Sequence, residues 1–425
     1  MEPQLVGAPR LRHALAGIAA TALVLVLAGC AGEGSPSNDP ALTKSVPHGA
    51  TKEDYQAAFR DIDPIRIRVQ TEGPKGSPTS LGRQTWLDTV EEWSGGKITF
   101  EWGYSNAFVP SATEWASGMA DGRMDIGGFL PYYTPEVFPK LTELTNATFL
   151  DGNTPTATLS STGWVTEVLY AQPAYQEEAE ANGVHILALA PTANISGIFC
   201  TKPRTSLADL NGVAVSASGQ GRVKQLSALG MAPQSIAFTE LYEALERGVV
   251  GCGSTVVTAI ESIGATELVP YATADPEASL VGFPAFMAIG KEKWDSLPRV
   301  AQQLLYDRLD TLFEAEAEHQ MSRNVTWLRQ AQAHGGGFRP FADDARGKLR
   351  QTNDTLLTEM ASHGVDTNAI KAAWERWNGT INDKLYPDIT KNLNDFLTSG
   401  GFKDVDLKPF AQAVVNDVMV KHRPS

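Results

Sequence analysis

Hydrophobic and polar positions along the chain follow their clearest pattern between residues 209 and 255. Residues 213–217 alternate in the manner of a strand, and residues 222–229 form a helical segment that a glycine ends. A second helix spans residues 238–248, with its apolar side chains on one face, and residues 249–252 follow as a buried strand. Two successive strand–helix–strand units predict a parallel sheet, because parallel strands need a crossover connection.

The two turns that leave these strands are candidate ligand-binding segments. Ligands of open α/β sheets bind at the carboxyl ends of the strands, next to helix N-termini. The turns at residues 216–220 and 252–255 occupy such places in the predicted sheet. An α/β core that binds nothing has the same pattern, so both interpretations stay open.

A comparable pattern occupies the N-terminal half. Residues 65–69 alternate as a strand, a helix follows, and residues 124–129 form a further strand. Glu72 lies in the loop after the first of these strands, where it is either a ligand contact or part of a solvated turn. Tyr132 and Tyr133 come directly after the later strand, and we expect one of the two rings to contact a ligand.

Extended and helical segments complete the chain. Residues 195–201 and 280–289 are predicted to be strands that cross between the two halves, and Phe283 lies in the second crossing. From Arg299 onward the apolar positions have helical spacing, interrupted by three glycines at residues 335–337.

The N-terminus has the features of an export signal. Arg10 and Arg12 precede the apolar stretch 14–27, which is too short for an ordinary membrane-spanning helix. The stretch ends in Leu-Ala-Gly-Cys, which resembles a bacterial lipobox. That resemblance implies cleavage before Cys30 and attachment of a diacylglycerol to its thiol.

Composition narrows the classes of function. The chain has 425 residues, 42% of them hydrophobic, and a formal net charge of −14. An acidic surface argues against binding to nucleic acid and against electrostatic attraction to anionic lipid. The chain has three cysteines, so Cys200 and Cys252 remain beside Cys30, either as a disulfide or as two separate buried thiols.

Enzyme signatures are missing from the sequence. It contains no His-Glu-x-x-His, Gly-x-Ser-x-Gly, P-loop or Cys-x-x-Cys motif, and its seven histidines have no metal-ligand spacing. We therefore expect no catalytic residues, no metal and no cofactor. An extracytoplasmic enzyme that uses Glu72 or Glu114 as an acid or base is the less favoured alternative.

Three motifs carry a resemblance to a known family. They are Asp-Leu-Asn-Gly at residues 209–212, the helix–strand unit at 238–250, and Lys-Glu-Lys-Trp-Asp-Ser-Leu-Pro at 291–298. In this order they resemble the DctP-type solute-binding proteins of TRAP (tripartite ATP-independent periplasmic) transporters. The resemblance implies a two-lobe, periplasmic-binding-protein-like (type II-like) α/β fold with a helical C-terminal region.

The same resemblance implies a function and a location. The protein would capture a small organic solute between its lobes and deliver it to a TRAP-type membrane permease. It would be extracytoplasmic, held at the outer face of the cytoplasmic membrane by a lipid anchor alone. A binding protein for an ABC importer or a sensor kinase is the alternative within the same class.

The predicted domain organisation follows from this comparison. Each segment is assigned by its pattern and by its place in the resembled fold. The segments are 1–29, a signal peptide; 30–62, the lipidated cysteine and a flexible tether; 63–192 with 284–345, lobe 1; 193–283, lobe 2; and 346–425, C-terminal helices that pack on the lobes.

The chain departs from the family where a carboxylate would bind. Typical members have an Arg near the end of the second-lobe strand, and that position is Ser216 here. Two explanations compete: a pocket refitted for a neutral polar solute, or replacement of the missing guanidinium by Arg222, which is otherwise a solvated helix residue. The full set of predicted ligand contacts is Glu72, Tyr132, Tyr133, Ser216, Ser218, Arg222, Ser254, Thr255 and Phe283.

Overall fold

The computed structural model describes residues 43–191, 195–390, 392–399 and 405–425. These residues belong to one compact unit, Asp39–Ser425. The signal peptide, Cys30 and the first part of the predicted tether lie outside the described residues.

Strands and helices alternate through the first two thirds of the chain, and helices dominate the last third. The strands are β1 (Ile65–Gln70), β2 (Ile98–Gly103), β3 (Ile126–Phe129), β4 (Val184–Leu189), β5 (Ser196–Cys200), β6 (Ala214–Ser216), β7 (Ala232–Gln234), β8 (Cys252–Val256), β9 (Tyr271–Thr273), β10 (Phe286–Gly290) and β11 (Gly337–Arg339). The α-helices are α1 (Lys52–Phe59), α2 (Pro78–Trp93), α3 (Trp115–Ala120), α4 (Pro139–Asn146), α5 (Ala157–Ala171), α6 (Pro173–Ala181), α7 (Leu207–Leu210), α8 (Gln220–Ala228), α9 (Leu241–Glu246), α10 (Val257–Ser262), α11 (Lys291–Ser296), α12 (Arg299–Asp307), α13 (Leu309–Ala333), α14 (Asp343–Ser362), α15 (Thr367–Gly379), α16 (Leu393–Ser399) and α17 (Lys408–Asp417).

The first sheet has the strand order β2-β1-β3-β10-β4. β1 is parallel to β2 and β3, whereas β10 is antiparallel to both β3 and β4. Alternation along β1 places Ile67 and Val69 in the core. All four residues of β3 are buried, as expected for a central strand that is covered on both faces.

The second sheet has the strand order β11-β9-β5-β8-β6-β7. β6 is parallel to β7 and β8, which confirms the two predicted strand–helix–strand units. The last strand of these units begins at Cys252 rather than at Val249. Val249 is exposed and its N–H donates to the carbonyl of Ala244, so it belongs to the C-terminal cap of α9.

The chain passes between the sheets as predicted. It leaves the first sheet after β4, enters the second at β5, and returns between β9 and β10. A third connection is α13, which packs against α2 beside the first sheet and against α10 and β11 of the second. The mixed α/β architecture with two sheets and a helical C-terminal region confirms the predicted fold class.

The start of the described chain corrects the tether prediction. Residues 52–59 form α1, which a reciprocal pair of hydrogen bonds between Thr51 and Asp54 caps. Tyr55 and Phe59 on this helix are buried in the core. The predicted tether, 30–62, is therefore wrong for residues 52–62, because their apolar positions have helical spacing and dock on the domain.

The short strand β11 corrects one part of the lobe assignment. It was grouped with lobe 1 in the segment 284–345, but it pairs with β9 of the second sheet. The glycines before it permit this approach, since a Cβ at Gly336 would lie 2.0 Å from the carbonyl oxygen of Pro270. The N–H of Gly337 donates to the same oxygen.

Two long helical stretches are each divided in the structure. The stretch 157–181 consists of α5 and α6, separated at Gln172, where Pro173 begins the second helix. The long helix predicted from Arg299 is divided at Arg308 into α12 and α13. Within the described residues, no helix is both long and apolar enough to cross a membrane.

Candidate functional site

A buried guanidinium lies where the second sheet meets the two crossing strands. Arg222 is in the first turn of α8 and is only 1% exposed. Its Nε donates to the Oγ of Ser254 on β8 at 2.6 Å. Its Nη1 donates to the Oγ of Ser196 on β5 at 2.7 Å, and its Nη2 donates to the carbonyl oxygen of Gly197 at 3.0 Å.

The same guanidinium also contacts the segment that returns to the first sheet. Nη1 of Arg222 donates to the carbonyl oxygen of Val281. Gln225, one turn further along α8, accepts from the N–H of Val281 at 2.8 Å and donates to the Oδ1 of Asn353 on α14 at 2.7 Å. Arg222 and Gln225 on α8 therefore hold the second crossing segment through the carbonyl and the N–H of Val281.

No carboxylate among the described residues forms an ion pair with Arg222 within 4.0 Å. Burial lowers the pKa of Arg222 to about 9, so the side chain still carries its charge at neutral pH. Its Cζ lies 4.6 Å from the centroid of the Phe283 ring, which covers one face of the guanidinium. The structure thus contains a desolvated cation that is held by neutral groups only.

Aromatic rings form a wall beside this cation. The centroids of Tyr132 and Phe283 are 5.8 Å apart with the rings edge to face, and Tyr133 lies 5.0 Å from Tyr132. Burial raises the pKa of Tyr132 well above its usual range, so its hydroxyl is a neutral donor and acceptor.

Glu72 lies in the loop after the carboxyl end of β1, beside β3 of the first sheet. Both of its carboxylate oxygens lie 3.3 Å from the Nη2 of Arg83, which also donates to the carbonyl of Gln70. A Cβ at Gly128 on β3 would lie 2.9 Å from Glu72 Oε1 and 3.3 Å from the ring of Trp115. The glycine therefore leaves the space in which this carboxylate lies.

The family model for bacterial extracellular solute-binding protein, family 7 (DctP) matches residues 69–363. The chain belongs to this family. The match covers strands of both sheets and every residue of the cluster described above, and this cluster is the candidate solute site of the DctP-family protein.

Solved structures share the fold. A TRAP periplasmic solute-binding protein from Marinobacter aquaeolei VT8, in an apo open state, has a TM-score of 0.62 and 18% identity, over 74% of this chain and 99% of that one. A TRAP solute-binding protein from Rhodoferax ferrireducens T118, in complex with copurified benzoate, has a TM-score of 0.63 and 19% identity, over 75% and 99%. A marine metagenome TRAP solute-binding protein in complex with pyroglutamate has a TM-score of 0.60 and 18% identity, over 74% and 100%.

Some of the sequence-predicted site residues lie together in the structure and others do not. Arg222, Ser254 and Phe283 are in mutual contact through the guanidinium. Thr255 points to the opposite face of β8 from Ser254, because side chains alternate along a strand. Ser216 is buried at the end of β6, and among the described residues it forms no hydrogen bond with Arg222.

Ser218 lies in the turn before α8, the helix that carries Arg222, but it does not belong to the cluster. Gly219 has φ +82° and lets the chain enter the helix sharply, and Ser218 precedes it as a half-buried residue. The predictions for Ser216, Ser218 and Thr255 as ligand contacts therefore stay predictions.

Several residues of the site were not predicted. Ser196, Gly197 and Val281 supply acceptors to the guanidinium, and Arg83 holds Glu72. Two of these acceptors are backbone carbonyls, which no sequence pattern identifies. Arg83 is one polar position among the apolar ones of α2, and its burial at 5% exposure is the kind of irregularity that a pattern could have indicated.

Cys200 and Cys252 form a disulfide in the structure. They are paired residues of the antiparallel strands β5 and β8. Ser254, two residues beyond Cys252, accepts from Arg222, so the disulfide joins the two strands that supply acceptors to the guanidinium.

A small cavity of about 60 Å³, partly open to solvent, lies behind the second crossing segment. Ser196 and Phe283 border it, and so does Asp151, whose carboxylate accepts from the indole N–H of Trp164 at 3.0 Å. Burial raises the pKa of Asp151 well above its usual range, which favours the neutral acid. The described residues contain no group of three or more side chains placed to hold a metal ion.

Proposed function

We propose that this protein captures a small organic carboxylate in the cleft between its two sheets and delivers it to a TRAP-type membrane permease. The observation that supports the proposal is the burial of Arg222 without a carboxylate partner. A buried charge without a counter-ion is costly, and native proteins normally pair it. A ligand carboxylate at this point would supply the missing negative charge.

The guanidinium is suited to a planar anion. Arginine presents its N–H groups in a fixed fork that matches the two oxygens of a carboxylate. Its present acceptors are hydroxyls and backbone carbonyls, all neutral, so a carboxylate is the stronger acceptor for the same N–H groups. Arg222 would in this way replace the arginine that typical family members have where this chain has Ser216.

Capture would involve closure of two lobes. Lobe 1 would comprise residues 63–192 and 284–336, and lobe 2 residues 193–283 with β11. The first crossing contributes Ser196 and Gly197 to the guanidinium, and the second contributes Val281. Because a ligand would compete for these N–H groups, its binding would change the contacts of both hinge segments at once.

The N-terminal segment would place this activity outside the cytoplasm. After export, Cys30 would carry a lipid, and the residues between it and the first described ones would link the domain to the outer face of the cytoplasmic membrane. The permease subunits would then bind this protein while it is anchored to the membrane. A metabolic labelling experiment with a radioactive fatty acid tests the anchor, since Cys30→Ala should abolish the label.

The binding proposal is tested with matched acids and amides. Benzoate and pyroglutamate are compared with benzamide and pyroglutamide by thermal shift and calorimetry on residues 31–425. A ligand at about 100 times its dissociation constant adds about 2.7 kcal/mol of stability. We expect shifts with acids and none with the amides.

Two variants distinguish the effect of the guanidinium on binding from that of other residues on its helix. Arg222→Met keeps the apolar stem and should weaken acid binding roughly 100-fold or more, as is usual when a buried charge partner is removed. Lys224→Met alters an exposed residue of the same helix and should leave affinity unchanged. Binding of the amides by the wild type, or acid binding that survives in Arg222→Met, would refute a carboxylate anchored by Arg222.

A further inference from the structure

The carboxylate of Glu72 is a partly exposed negative charge beside β3. The side chain of Glu72 is 36% exposed, whereas that of Arg83 behind it is 6% exposed. The carboxylate thus lies between the guanidinium and the cleft. A solute that reaches this carboxylate meets the oxygens of Glu72 and does not meet the N–H groups of Arg83.

The space around Glu72 is fixed by its neighbours on the first sheet. Its Oε1 lies over Gly128, beside the ring of Trp115. Tyr132, three residues after the end of β3, packs edge to face on Phe283, whose ring covers the guanidinium of Arg222. The aromatic wall therefore runs from the buried cation toward β3, the strand beside which Glu72 lies.

The buried cations near this cleft are matched by acids, with one exception. Arg83 pairs with Glu72, and Arg323 on α13 pairs with Glu261 at 2.7 Å. Arg222 has no such partner among the described residues. Among the buried arginines of the described residues, Arg222 is therefore the one whose positive charge is left for a solute.

Building on the proposed function, we propose that the solute is a monocarboxylate with a hydrogen-bond donor at its other end, and that Glu72 determines this specificity. A second carboxylate at that end would meet Glu72 without a free cation, and juxtaposed like charges cost several kcal/mol. A hydroxyl or N–H group would instead donate to a carboxylate oxygen, which forms stronger hydrogen bonds than a neutral acceptor does. The aromatic wall of Tyr132, Tyr133 and Phe283 suits an apolar or flat middle part.

Two matched series of compounds test this specificity. The aromatic series is benzoate, 3-hydroxybenzoate and isophthalate; the aliphatic series is butyrate, 4-hydroxybutyrate and glutarate. Within each series only the group remote from the carboxylate changes, from hydrogen to hydroxyl to a second carboxylate. Dissociation constants are measured by calorimetry on residues 31–425 at pH 7.5.

In the series that binds the wild type, we expect the hydroxylated acid to bind tightest and the dicarboxylate to bind at least roughly tenfold more weakly than the unsubstituted acid. Glu72→Gln should reduce this discrimination against the dicarboxylate by roughly tenfold, since it removes the repelling charge. The affinity of Glu72→Gln for the unsubstituted acid should stay within about threefold of wild type. An affinity for the unsubstituted acid close to that of the wild type also shows that Glu72→Gln is folded.

Lys75→Gln is the matched control, because it removes an exposed charge from the same loop. It should leave all ratios unchanged. The specificity proposal is overturned if the wild type binds a dicarboxylate as tightly as the matching monocarboxylate, or if Glu72→Gln weakens every compound equally. Either result leaves the carboxylate-binding function standing.

Failure of the underlying function has a different signature. If no acid of either series binds while benzamide or another neutral compound does, Arg222 is not a carboxylate anchor, and both proposals are wrong. Binding of dicarboxylates alone would retain the first proposal and refute the second.

Discussion

The Oγ of Ser254 lies 2.6 Å from the Nε of Arg222, and both groups are buried. Ser254 is on β8 and Arg222 is on α8, so this hydrogen bond joins a strand of the second sheet to a helix at the candidate site. Nε is the only guanidinium nitrogen with a single hydrogen. Its hydrogen bond therefore helps to fix the plane of the fork that would receive a carboxylate.

Ser254→Ala should consequently affect both stability and binding. Loss of one buried partner leaves an N–H of Arg222 unsatisfied, which costs about 1 to 3 kcal/mol of unfolding free energy. Urea denaturation measures the stability, and calorimetry with the best acid measures the affinity, which should fall because the fork is less fixed. Ser262→Ala, which changes an exposed serine on α10 after the same strand, is the control and should change affinity little; equal effects of the two variants would contradict the assignment.

The disulfide between Cys200 and Cys252 should stabilise the second sheet. It spans 52 residues of sequence, and closing a loop of that length in the unfolded chain corresponds to about 4 kcal/mol in the chain-entropy description. We expect Cys200→Ala/Cys252→Ala to lose about 2 to 4 kcal/mol in urea denaturation.

Reduction provides the comparison for the disulfide variant. The wild type unfolded with a reductant present should match the double variant, and the variant itself should not respond to the reductant. A wild type whose unfolding is unaffected by reductant would show that the two thiols are not bonded in solution.

The alternating and helical patterns predicted the sheets well, because burial on one face leaves a period that the sequence shows. The resemblance to the family, and not these patterns, offered Arg222 as one of two explanations for the arginine missing at Ser216. The patterns could not indicate Ser196 and Val281 as its acceptors, because these positions depend on the paths of two crossing segments. One of the two acts through its backbone carbonyl, which every residue has.

One error and one omission concern signals that the sequence contains. Thr51 and Asp54 have the spacing of a capping box, and Tyr55 and Phe59 have helical spacing, so α1 could have been recognised inside the predicted tether. The buried polar side chains of α13 continue the spacing of its apolar ones, from Glu316 onward. Polar residues at such positions indicate a buried network, which a search for apolar stripes overlooks.

An ionic contact should hold both ends of the described chain. Asp307, at the end of α12, accepts from the hydroxyl of Tyr55 at 2.6 Å and from Arg423 at 2.7 and 3.0 Å. Asp307→Asn removes the charge that pairs with Arg423, a largely buried group, and should cost about 2 to 3 kcal/mol. Hydrogen exchange should show faster exchange in α1 and in the last residues of the chain.

Asp61→Asn is the control for this contact. Asp61 pairs with Lys44 in the same N-terminal segment, but its side chain is 81% exposed, so the change should be within about 0.5 kcal/mol. If Asp307→Asn destabilises no more than Asp61→Asn, the contact does not hold the two ends in solution.

Glu316 on α13 should make stability depend on pH. Burial raises its pKa to about 7, partly opposed by Arg83 and reinforced by Glu72, whereas in the unfolded chain the pKa is near the ordinary 4.5. Between these two values the folded protein holds a proton that the unfolded chain has released, so unfolding free energy falls as pH rises from about 4.5 to about 7 and then levels off.

Glu316→Gln cannot titrate and should lack this component. Urea denaturation of both proteins at pH 5, 6, 7 and 8 measures it as a difference that moves in favour of the variant up to about pH 7. A difference that is constant over this range, or that moves in favour of the wild type, would show that Glu316 is ionised in the folded protein throughout.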